Sequence, residues 1–73
     1  MSGQPSYTRF GIVTEFDEPV GLGVLSESDG TRHPFHCTAI ADGSRDIRIG
    51  TEVTFGLVAA RAGRYEATDI VAR

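Results

Sequence analysis

Seventy-three residues, 40% of them apolar, make one small domain that buries only roughly 60% of its extended surface, which leaves no room for a large enclosed substrate cavity. Seven arginines and ten acidic side chains give a net charge of −3, which argues against tight non-specific phosphate binding but permits a local basic groove. There is no signal-peptide pattern and no apolar run near the ~20 residues of a membrane span. Cys37, the lone cysteine, permits no internal disulfide, so a cytoplasmic protein with no membrane partner is expected.

In chain order, residues 1–6 are small and polar, contain Pro5 and read as a mobile tail, and the domain is expected over residues 7–73. A first strand is predicted over residues 10–17, where Ile12, Val13, Thr14 and Phe16 supply β-branched and aromatic side chains. Asp17, Glu18 and Pro19 turn the chain. The second strand, residues 21–27, organises the rest. Leu22 and Val24 share one face while Gly23 and Leu25 share the other. Its repeated glycines suit a tightly curved small barrel in which a second backbone comes close. They do not suit a phosphate loop, because no third glycine, lysine or amphipathic helix follows.

Ser28, Asp29 and Gly30 form a hairpin signal, with Asp-Gly expected to supply positive φ angles. A third strand over residues 31–37 should therefore pair antiparallel with the second. Pro34 makes it an edge strand or one with a local break, with His33 and Phe35 on one face and Pro34 and His36 on the other. Residues 41–46 read as a loop and residues 47–49 as a short extended piece. A fourth strand over residues 51–60 alternates Val53, Phe55 and Leu57 on one face, and after a turn at residues 61–64 a fifth runs over residues 65–71. Val13, Leu25, Phe35, Val53, Phe55 and Ile70 are the expected core. Five short strands suggest a small closed or partly open antiparallel barrel, all-β in class.

Two chemistries fall away on the same alternation. His33 and His36 point to opposite faces and lack a second ligand pair, so no metal or other cofactor is expected. Cys37 and His36 are adjacent strand residues that point apart, with no orienting carboxylate, so no thiol nucleophile and no enzyme is expected.

The motif order is distinctive: Gly11-Ile-Val-Thr-Glu-Phe-Asp, Gly21-Leu-Gly-Val-Leu, Asp29-Gly30, Phe35-His-Cys-Thr-Ala-Ile, Gly50-Thr-Glu-Val-Thr-Phe and Glu66-Ala-Thr-Asp-Ile. From about Phe10 to Val71 it resembles the bacterial cold-shock domain family. The resemblance implies a five-stranded oligonucleotide-binding (OB-fold) barrel that holds single-stranded RNA or DNA on its second and third strands, bases stacked on aromatic rings and basic groups along the backbone. The chain departs from that pattern on the stacking platform. Glu15 stands where the family shows tryptophan, with Phe16 kept beside it. Leu22 and Val24 occupy two aromatic positions, Pro34 and Cys37 two more, and Arg45 lies near another.

The resemblance therefore implies weak single-strand binding of low sequence specificity through Phe16, Leu22, Val24 and His36, with Arg45, Arg61 and Arg64 meeting phosphates. Glu15 and Asp17 would oppose phosphates if they face the same way. The alternative is a barrel that has lost this activity and uses its Leu22/Val24 face for a protein partner or a homodimer.

Overall fold

The computed structural model describes residues 8–73, so the tail expected over residues 1–6 lies outside the described residues. Five strands form one antiparallel sheet: β1 (Arg9–Asp17), β2 (Leu22–Ser26), β3 (Arg32–His36), β4 (Glu52–Ala59) and β5 (Tyr65–Ala72), in the spatial order β3-β2-β1-β4-β5. Each lies within a residue or two of its predicted span. β1 sits in the middle because its apolar run serves two partners. Val13 faces Leu25 of β2, and its backbone continues the ladder toward β4, with the Val13 N–H donating to the Thr51 carbonyl at 3.0 Å and the Val13 carbonyl accepting from the Gly50 N–H at 2.7 Å.

The sheet curls so that its two edges approach each other. β3 lies against β5. Ile40, just past a 3-10 turn at Cys37–Ala39, bridges Ile70 in parallel, and the Ala41 N–H donates to the Ile70 carbonyl at 2.8 Å. All six expected core residues are buried, joined by Ile40 and Ala67. At roughly 1.5–3 kcal/mol for each fully buried large apolar side chain, this cluster is the main source of stability in so short a chain.

The β2–β3 hairpin follows its signal with one change. Gly30 N–H donates to the Glu27 carbonyl at 2.9 Å and Gly30 takes φ +91°, but Asp29 stays out of the left-handed region. Its carboxylate instead accepts from the Thr31 N–H at 2.9 Å, so one left-handed residue is enough for a three-residue connection. Pro34 sits on an edge strand, paired through Val24 to β2 alone. Residues 47–49 form no strand. Ile47 anchors the loop against the core and Ile49 stays exposed.

His33, buried on the core side of β3, is tilted over Phe55 with ring centroids 5.5 Å apart. Its Nε2 lies 2.6 Å from the Glu27 carboxylate, which also accepts from Arg9 at 3.1 Å. A polar ring at the core margin thus keeps a partner, as burial requires.

Candidate nucleic-acid interface

The outer face of β1, β2 and β3 is ordered by a bulge. Between Val13 and Glu15 the β1–β2 register shifts, leaving Thr14 as the extra residue. The Thr14 hydroxyl donates to the Val24 carbonyl at 3.3 Å. After the bulge, Glu15 pairs with Val24 and Val24 with Pro34, while Asp17 pairs with Leu22 and Leu22 with His36. Paired residues share a face. The result is two rows across three strands, Glu15-Val24-Pro34 and Asp17-Leu22-His36. Read along the strands, an acidic column lies on β1, an apolar column on β2, and proline and histidine on β3.

Phe16 falls in the intervening row with Gly23 and Phe35, which faces the core. Its ring stacks on Phe35, centroids 6.0 Å apart and planes within 9°. Gly23 is glycine because of that stack. A Cβ there would stand 2.5 Å from Phe35 Cζ and 2.8 Å from the Glu15 carbonyl oxygen. The close approach expected at this glycine therefore involves both a backbone and a ring. Phe16 still edges a shallow groove with Glu15, Asp17, Leu22 and Val24, but it does not stand beside His36 on the outer face.

Leu22 is 44% exposed, Val24 half-buried and His36 exposed. His36 and Pro34 line a second groove of about 440 Å³ with Ala59, Ala60, Arg64 and Glu66, where β3 approaches the β4–β5 turn. Folding thus brings Arg64 to the edge of the Leu22/Val24/His36 surface. Arg45 is exposed in the long loop with φ +61° and lines neither groove. Arg61 belongs to the turn Arg61–Gly63, and its side chain lies outside the described residues. A larger groove of about 960 Å³ lies elsewhere, between Thr54, Gly56, Val58, Thr68 and Val71.

One charged residue of the face escaped the sequence reading. Arg32 is two positions before Pro34 and four before His36, so the alternation that paired those two also sends Arg32 outward. Its guanidinium is ion-paired with Glu15 across the intervening strand β2.

These strands, their order and the rowed outer face define an all-β, cold-shock-domain-like fold. The Drosophila Unr CSD456 structure, a run of cold-shock domains, matches the chain with a TM-score of 0.75 and 29% sequence identity over 92% of this chain. The match spans 27% of that longer chain. No family model and no curated protein sequence matches. No described helix is long and apolar enough to cross a membrane.

Proposed function

We propose that this domain binds single-stranded RNA or DNA, weakly and with low sequence specificity, on the outer face of β2 and β3. The observation that carries the reading is the exposed Leu22/Val24 strip with His36 beside it and Arg64 lining the same groove as His36. The likeness to a cold-shock domain suggests nucleic acid as the partner class. Bases would lie on Leu22, Val24 and His36, with Phe16 at the margin, while Arg64 meets the backbone and Arg45 and Arg61 act from their loops. The work is passive: a base held against the face is unavailable for pairing, and no bond is made or broken.

Affinity should be low, since a base stacked on an aromatic ring contributes roughly 1–3 kcal/mol and Glu15, Leu22, Val24 and Pro34 carry no aromatic ring. A titration with a short oligo-dT or oligo-U, followed by NMR, tests the reading. Shifts grouped at Leu22, Val24 and His36 support it, and shifts scattered over the surface would sink it.

A second reading, a protein partner or a homodimer on the same face, is favoured by the acidic column of Glu15 and Asp17 beside the apolar one. It predicts concentration-dependent shifts at Leu22 and Val24 without any oligonucleotide.

A further inference from the structure

We infer that Arg32 is a phosphate-contacting residue of this face and that Glu15 occupies it in the free protein as an internal competitor for phosphate. The inference rests on the nucleic-acid reading above. Arg32, Pro34 and His36 project from the same side of β3, which places Arg32 at one end of the apolar strip and His36 at the other. Glu15 projects from β1, and β2 lies between the two. Neighbouring strands are about 4.8 Å apart, so an ion pair from β1 to β3 spans roughly 10 Å of sheet. It lies across the β2 residues Val24 and Ser26, the register partners of Glu15 and Arg32, and so covers the upper end of the strip.

The two other engaged arginines leave Arg32 as the cation this surface commits. Arg9 is held by Glu27, and Arg73 sits over the Phe10 ring at 4.8 Å. Among the described residues, no other arginine side chain is ion-paired to a carboxylate on the outer face of β1, β2 and β3.

The chemistry of exchange is direct. A guanidinium presents the same donor fork to a carboxylate and to a phosphate. The side chains of Arg32 and Glu15 are 59% and 60% exposed, so the pair is solvated and a phosphate displaces the carboxylate at a cost below about tenfold. Once displaced, Glu15 remains on the face and repels the strand that replaced it. Glu15 therefore lowers affinity twice, by occupying Arg32 and by repulsion. Only the first effect requires Arg32.

That difference defines the experiment. Glu15→Gln, Arg32→Gln and the double variant are compared with the parent chain by anisotropy of labelled oligo-dT over a salt series, with an NMR spectrum of each to establish folding. Glu15→Gln should bind about three- to tenfold more tightly, and its salt dependence should steepen by about 0.7, the slope for one phosphate on a single strand. In the Arg32→Gln background, the same change should give less than half that gain and no added slope. An equal gain in both backgrounds overturns the inference and leaves simple repulsion, while the nucleic-acid reading stands. No binding by any of the four folded proteins overturns both.

Discussion

Gly23 and Gly56 occupy the same kind of place, mid-strand, and should respond to a methyl group in opposite ways. At Gly23 an added Cβ meets the Phe35 ring and the Glu15 carbonyl at 2.5 and 2.8 Å. The Phe16/Phe35 stack leaves that ring nowhere to go, so Gly23→Ala should cost about 1–3 kcal/mol, the usual range for overpacking. At Gly56 the nearest atom is Thr68 Cγ2 at 3.7 Å, an ordinary contact. Gly56→Ala should be neutral or stabilise by up to about 1 kcal/mol through loss of unfolded-state freedom. Urea unfolding of both variants checks the contrast, and equal effects would mean that the stack does not constrain Gly23. Asp29 adds a pH-dependent turn. Chiefly because the Thr31 N–H donates to it, its carboxyl titrates below the ordinary 3.8. A depressed folded value contributes stability in full above 3.8 and loses it as pH falls through the folded value. The Thr31 amide signal should therefore move with a midpoint below 3.8 in an NMR titration, and stay still in Asp29→Asn.

β1 and β2 set what the face can hold. The bulge at Thr14 rotates the end of β1 so that Glu15 and Asp17 share a face with Val24 and Leu22. Were Thr14 paired in regular alternation after Val13 instead, the two acids would fall on the core-facing rows, because a one-residue slip exchanges the faces. β2 offers the outward positions where rings are absent. Leu22→Phe with Val24→Phe places rings on an already outward strip and should recover a substantial part of the affinity. At 1–3 kcal/mol per stacked base, two rings less the apolar contact already present correspond to on the order of a hundredfold. Anisotropy with oligo-dT and oligo-U at one moderate salt concentration measures it. A folded double variant with no gain would move the reading toward the protein partner.

Across the molecule, a net charge of −3 sits on a surface whose arginines are partly engaged. Long-range attraction for a polyanion is therefore small, and any phosphate binding depends on local placement. Arg64 borders the His36 groove and Arg45 does not. Arg64→Ala should weaken binding equally for all sequences and flatten the salt slope by somewhat less than one charge. Arg45→Ala should do so more weakly. The reverse order would place the strand along the long loop instead of across the β3 edge.

Most of the architecture was legible in the residues because strand physics is local. The two-residue alternation separated Leu22 and Val24 from Gly23 and Leu25, and His33 and Phe35 from Pro34 and His36, and it identified six buried side chains. The Asp-Gly pair marked the hairpin, and Pro34 marked an edge. Register and non-local pairing are not local properties, and these were decided only by the tertiary structure. A bulge is one uncounted residue, so nothing in the pattern of residues 10–17 announced that Glu15 would pair with Val24 or that Phe16 would turn inward onto Phe35. Residues 47–49 have apolar, β-branched composition but join no strand. The Glu15–Arg32 and His33–Glu27–Arg9 contacts join residues distant in sequence, and Arg64 comes to line a groove with His36 only because the sheet curls. The alternation determined which side chains point outward, and the register and curl of the sheet determined which of them meet.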